Sequence, residues 1–148
     1  MNRRSLLLAP LTLLLALGAS RARAHSYKLD AIEIGHPWAE PSTGDVAAVF
    51  MALANMGDKP DRLVGAATPI ADAVLFQDYG NRPIDAFDLP PKRPMALRPG
   101  GRRVVLQGVK HRLAAGDDFP LTLRFANAGQ ITIMVMVQQE SSEPTPAH

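Results

Sequence analysis

The chain contains no cysteine. That absence excludes a disulfide-stapled scaffold, a thiol nucleophile, Cys-ligated zinc, a covalent c-type haem and an iron–sulfur cluster. It also excludes a bacterial lipoprotein anchor, which needs a Cys at the cleavage point. Long runs free of helix breakers are missing too. Thirteen Pro and eleven Gly among 148 residues cut the chain into short pieces, and none is long and clean enough to predict a helix. The best helical candidate, Val46 to Ala54, reads equally well as a buried strand. Signature motifs of enzymes are absent as well. There is no Gly-x-Ser-x-Gly turn, no Gly-rich loop between strand and helix, and no His-x-x-x-His pair. The acidic residues are scattered and mostly sit beside turn residues, so no catalytic carboxylate pair is assigned.

What is present begins at the N-terminus. Met1-Asn2-Arg3-Arg4 is a short cationic start, Leu6 to Ala19 is nearly all Leu and Ala, and Ser20-Arg21-Ala22-Arg23-Ala24 is rich in small residues. This is the pattern of a secretory signal peptide. The apolar run is shorter than the ~20 residues that span a bilayer as a helix, and Pro10 disfavours a permanent span. The Arg3-Arg4 pair suits the twin-arginine route and the short Leu-rich leader suits the general secretory route, so the route stays open. Cleavage after Ala22 would leave Arg23 first, and cleavage after Ala24 would leave His25 first. The second is the better small-x-small match, which makes 1–24 the expected leader. Its removal takes Lys+Arg from 16 to 12 against 14 Asp+Glu. The precursor's charge of +2 becomes −2, and a nucleic-acid partner is excluded with it.

The mature chain is expected to be one domain over 25–138, followed by a disordered polar tail over 139–148. Its short runs alternate in hydrophobicity: Ile32 and Ile34; Leu121, Leu123 and Phe125; Ile131, Ile133, Val135 and Val137. Period-2 patterning broken every 8–12 residues predicts an all-β sandwich or barrel of about eight or nine short strands. The first is expected over 28–36 as one strand. Asn55-Met56-Gly57-Asp58-Lys59 and Asn127-Ala128-Gly129 read as hairpin turns.

With no Cys, the soft or borderline metal ligands are His25, His36, His111, His148 and the Met side chains. Met134 and Met136 lie two apart and share a face, and core packing accounts for such a pair. His25 is different. As a mature N-terminus, its α-amine and imidazole can chelate one copper ion, and His36, on the expected first strand, can supply a third nitrogen. His111 sits in the solvated Lys110-His111-Arg112 turn, and His148 lies in the tail.

Several segments carry a resemblance when taken in order. They are Ile34-Gly35-His36-Pro37-Trp38-Ala39, Ala52-Leu53-Ala54-Asn55-Met56-Gly57-Asp58, Leu63-Val64-Gly65-Ala66, Leu97-Arg98-Pro99-Gly100-Gly101, Leu113-Ala114-Ala115-Gly116-Asp117 and Pro120-Leu121-Thr122-Leu123-Arg124-Phe125. Over about residues 28–137 the chain resembles the periplasmic copper chaperone family written PCu(A)C. The resemblance implies a cupredoxin-like Greek-key β-sandwich that holds Cu(I) through two His and two Met and delivers it to the copper centre of a haem–copper oxidase. Those ligands do not carry over. Phe76 stands at the first His, Arg103 at the second His and Val105 at the second Met, and no Met occurs between Tyr79 and Phe87. Guanidinium offers only donors and cannot bind a cation.

The expected function is therefore that of an exported, periplasmic copper-binding accessory protein with a remodelled metal site at His25 and His36. Its partners would be a copper-receiving oxidase subunit or another metallochaperone, with no nucleic acid and no membrane anchor after cleavage. The alternative is a metal-free protein-interaction module of the same fold in envelope or oxidase assembly. An enzyme with an N-terminal His copper centre and an anion site at Arg102 and Arg103 are further readings. Intact-mass measurement of the exported protein is expected to place its N-terminus at His25; a start at Arg23 removes the α-amine of His25 from the metal site.

Overall fold

The computed structural model describes residues 26–140. The expected leader with His25, and residues 141–148 of the expected tail with His148, lie outside the described residues. Eleven strands are seen among the described residues. They are β1 (Ser26–Leu29), β2 (Ile32–Ala39), β3 (Val46–Asn55), β4 (Asp61–Ala67), β5 (Ala73–Gln77), β6 (Pro83–Ile84), β7 (Phe87–Leu89), β8 (Arg93–Leu97), β9 (Arg103–Gln107), β10 (Asp118–Phe125) and β11 (Gly129–Val137). A three-residue 3₁₀ turn, Tyr79–Asn81, is the one helical piece among the described residues, and no helix there is long and apolar enough to cross a membrane.

The all-β expectation holds, with more strands than expected. The single strand expected over 28–36 is a hairpin, because Asp30 adopts φ +52° and turns the chain back. Asp tolerates this left-handed region better than most residues. The run expected over 84–87 splits into β6 and β7, which pair with different partners. Asn127–Gly129 is the expected hairpin turn, with Gly129 at φ +101° closing β10 onto β11. The segment 55–59 is not a hairpin turn. It leads from β3 to β4, and these strands do not pair; β4 lies instead between β10 and β7.

The strands form one curled, barrel-like sheet in the order β6-β5-β9-β3-β2-β11-β10-β4-β7, with β1 on β2 and β8 on β3. β3 is long enough to pair with β9 through its first half and β8 through its second. It therefore joins what would otherwise be two separate layers. Alternation supplies the interior: Val49, Met51 and Leu53 of β3, Val104 and Leu106 of β9, Leu121 and Leu123 of β10, and Ile133, Val135 and Val137 of β11 all point inward. A Leu, Ile or Phe side chain fully removed from water contributes on the order of 1.5–3 kcal/mol.

Two buried polar residues fix the β3–β4 connection. Asn55 donates from Nδ2 to the carbonyls of Lys59 (2.7 Å) and Leu89 (3.0 Å), and its Oδ1 accepts from Gly57 N (3.0 Å). Asp61 accepts from the backbone N–H groups of Arg62 (2.7 Å), Asn127 (2.9 Å) and Ala128 (2.9 Å). Each satisfies groups that burial would otherwise leave unpaired.

Leu121→Ala, at 0% exposure, is expected to cost about 2–5 kcal/mol in denaturant unfolding. Leu75→Ala, at 40% exposure, should stay within about 0.5 kcal/mol of wild type. Equal losses would contradict the assignment of inner and outer faces.

Candidate functional site

The positions at which the resemblance expects metal ligands fall on β5 and β9. These strands pair in register, with Phe76 opposite Val104, Leu75 opposite Val105 and Gln77 opposite Arg103. Phe76 and Val104 face the interior, and the Phe76 ring lies 5.1 Å from that of Phe87. Arg103 and Val105 therefore face outward, because successive strand residues alternate. Phe76 is on the opposite face of the sheet from Arg103 and Val105, so the three cannot converge on one ion. Arg103 is already engaged: its Nε donates to Gln77 Oε1 at 3.0 Å. Together with Val105, Asn81, Glu40 and Ser42, these two residues line a shallow outer groove of about 410 Å³. The residues present do not fit the family's copper site.

The neighbouring polar cluster is also internally satisfied. Asp78 accepts from Tyr79 N (2.8 Å), Arg102 Nε (3.1 Å) and Arg82 Nη2 (3.1 Å). The Tyr79 backbone bond, and then the two guanidinium groups, hold its carboxyl below the ordinary value. Arg102 also lies 5.2 Å from the centre of the Tyr79 ring and donates to Met95 Sδ at 3.2 Å. The Arg102–Arg103 pair expected to attract an anion is thus divided. One guanidinium is matched by a carboxylate and the other by an amide.

His36 has a different setting. It lies in the middle of β2, not at the end of a single strand over 28–36, at the irregularity between Gly35 and Trp38. Its φ is +46°, a conformation uncommon outside Gly but several-fold enriched for His. The bulge points the exposed ring toward the end of β11, where Gln138 Nε2 lies 3.1 Å from His36 Nε2. An amide nitrogen has no acceptor capacity, so Gln138 donates and His36 Nε2 accepts. The ring therefore presents a lone pair there. β11 and β2 pair only at Met136–Trp38 and Val137–Ala39. Where their ladder opens beside the bulge, Met134 N donates to the Tyr27 hydroxyl at 2.9 Å.

Among the described residues, no group of three or more His, Cys, Asp or Glu is placed to hold a metal ion. His111 is exposed, with Nδ1 3.2 Å from the Arg112 carbonyl. Sequence reading did not find Gln138, Tyr27 or Gln77 as neighbours of candidate residues. All three meet their partners across the sheet, and no local spacing signals such contacts.

The family model described as "Putative lipoprotein LpqE-like" matches residues 32–137. The chain is 23% identical over 128 residues to "Putative lipoprotein Lxx21020" of Leifsonia xyli subsp. xyli, covering 81% of this chain and 77% of that protein. Among solved structures, it is similar to the copper-bound PCuAC domain from PmoF2, at TM-score 0.73 and 32% identity, covering 78% of this chain and 98% of that one. The apo PCuAC domain from PmoF1 gives TM-score 0.73 and 28% identity, covering 78% and 99%. The solution structure of CuI-DR1885 from Deinococcus radiodurans, at TM-score 0.62 and 22% identity with 82% and 86% covered, shares the fold. The fold is thus cupredoxin-like, as expected.

The depressed pKa of Asp78 sets a sign. Its contribution to stability is complete above the ordinary value of 3.8 and is lost as pH falls through the lower folded value. Asp78→Asn should therefore melt below wild type at neutral pH, with the gap closing below that value. A gap independent of pH would show that the Asp78 charge contributes nothing.

Proposed function

The chain belongs to the LpqE-like family of PCuAC-type domains, and from that membership we propose that it is an exported periplasmic accessory protein that binds a copper ion and passes it on, without catalysing a reaction. The PmoF2 domain is described as copper-bound. Here the cargo needs another seat, because Phe76, Arg103 and Val105 offer no converging ligands. The proposed seat is His36 together with His25 at the mature N-terminus. One observation supports it above the others: β1 begins at Ser26, whose ladder partner Gly35 is the residue before His36. The α-amine and imidazole of His25 with the imidazole of His36 make a nitrogen set suited to Cu(II). The recipient would be an oxidase subunit or another metallochaperone.

A metal-free interaction module is the second reading. The Arg103–Gln77 and Arg102–Asp78 contacts favour it, since they fill the edge where the family's ligands are expected.

Titration of the exported protein, its N-terminus confirmed by mass, with Cu(I) and Cu(II) separately is expected to show one ion bound. His36→Asn, which tolerates the same positive φ, should weaken Cu(II) at least about tenfold. Failure to bind either ion at micromolar protein would end the copper reading and leave the interaction module.

A further inference from the structure

The outer face of β5, β9 and the first half of β3 sets exposed apolar side chains beside an arginine that has no carboxylate partner. Phe76, Val104 and Leu106 point inward, so their neighbours along β5 and β9 point out. The ladder registers then place Gln77 beside Arg103, and Leu75, Val105 and Ala48 in one row across three strands. Val46 is the next outward residue of β3. Among the described residues the exposed large apolar side chains are Val46 (53%), Leu75 (40%), Tyr79 (64%) and Met56. Val46 and Leu75 lie on this face, and Tyr79 follows it in the turn after β5. A single exposed apolar residue is ordinary. Several gathered with Tyr and Arg have the composition of a protein-binding surface.

Charge decides what kind of partner fits. Arg82 and Arg102 share the one carboxylate of Asp78. Arg103 has only the neutral Gln77 amide oxygen on its Nε, at 3.0 Å, and no carboxylate of the described residues lies within ion-pair distance of it. Its half-buried guanidinium is thus oriented, with the two terminal nitrogens left to donate, a fork that matches a carboxylate. Glu40 lines the same groove and opposes an incoming carboxylate. The positive end also stands out against a mature chain whose expected charge is −2, so an acidic partner is drawn here and repelled elsewhere. We infer that this face docks an extended acidic segment of a partner protein, with a carboxylate on Arg103 and an apolar side chain over Val105, between Leu75 and Val46. The groove, about 410 Å³, has room for a few side chains. Arg103 and Val105 are same-face neighbours about 7 Å apart, the spacing at which an extended segment presents residues i and i+2. The inference goes beyond both readings of the metal, because a copper carrier and a metal-free module each need a face for a partner.

The test uses the full exported chain, stripped of metal by a chelator, and three end-capped synthetic peptides. The first alternates Glu-Thr-Leu-Thr, the second has Lys for every Glu, and the third has Ser for every Leu. Nitrogen-15 amide spectra should show Leu75, Gln77, Arg103 and Val105 moving to saturation with the first peptide, while residues on the outer face of β2 and β11 hold still. The Lys and Ser peptides should each bind at least about tenfold more weakly. Arg103→Gln and Leu75→Glu should each weaken the first peptide at least about tenfold. Glu40→Gln, which removes the opposing charge, should tighten it at least about twofold, and it keeps the test decisive where Arg103→Gln melts early. Raising salt from about 50 to about 500 mM should weaken the complex. Equal affinity for the Lys peptide, unchanged affinity in Leu75→Glu, weaker binding in Glu40→Gln, or shifts confined to another face overturns the inference. So does an absence of shifts with about 1 mM of the first peptide. None of these outcomes depends on copper, so either result leaves the metal titration to be decided separately.

Discussion

A strand sends alternate side chains to opposite faces, and in this domain one of those faces encloses the interior of a curled sheet. Inner positions must be apolar or fully hydrogen-bonded, since an unpaired polar group there costs several kcal/mol. Among the described residues, Asn55 and Asp61 are the buried polar side chains, and both meet the condition through three hydrogen bonds each. The other polar side chains of the described residues are at least partly exposed, on the outer face or in the turns. The constraint explains why Phe76 and Arg103, assigned to equivalent ligand roles by resemblance, stand on opposite sides of the β5–β9 pair. Phe76 is part of the interior with Phe87, whereas Arg103 and the buried Val105 lie on the outer face.

The chemistry at Arg103 is unlike that of a site that has merely lost a ligand. An apolar substitution would leave a weak or vacant seat, whereas a guanidinium places a permanent positive charge where a cation would bind. Its Nε is taken by Gln77, and the adjacent Arg102 is taken by Asp78, Tyr79 and Met95. Along this edge Arg102 and Arg82 are paired with Asp78 and Arg103 Nε is held by Gln77, which favours a fixed surface over a flexible binding cleft. Any copper function must therefore lie elsewhere on the domain. On the outer face of β2 and β11, by contrast, His36 is exposed and bonded to Gln138.

Much of the architecture is visible in the residue pattern because it is local. The alternation of Leu121, Leu123 and Phe125, and of Ile133, Val135 and Val137, marks both strands and their inner faces. Gly129 marks their turn. What is hidden depends on partners far along the chain. Residues 55–59 have turn composition, yet β4 pairs with β10 and β7, and nothing near Gly57 announces that choice. The hairpin at Asp30 is hidden for another reason. Asp followed by Ala is a weaker reversal signal than Asn or Asp followed by Gly, so 28–36 reads as continuous. The shared face of Met134 and Met136 is legible at once, but core packing explains it equally well until the interior is seen to exclude them.

The bulge at His36 connects these points. A regular β2 would leave its ladder with β11 continuous, satisfy Met134 N from the strand and keep residue 36 in an extended conformation. Instead the ladder is confined to two steps, Tyr27 supplies the missing acceptor, and residue 36 enters the left-handed region, which costs a non-Gly residue roughly 1–2 kcal/mol. Packing does not require that cost, because the ring it presents is exposed and, among the described residues, hydrogen-bonds to the Gln138 amide. Bulges recur where a strand must redirect one side chain, and strain retained without a packing gain points toward function. The same distortion that spends stability at His36 opens the one stretch of β11 where thioethers face outward. The bulge and the ladder it interrupts therefore meet at a single patch.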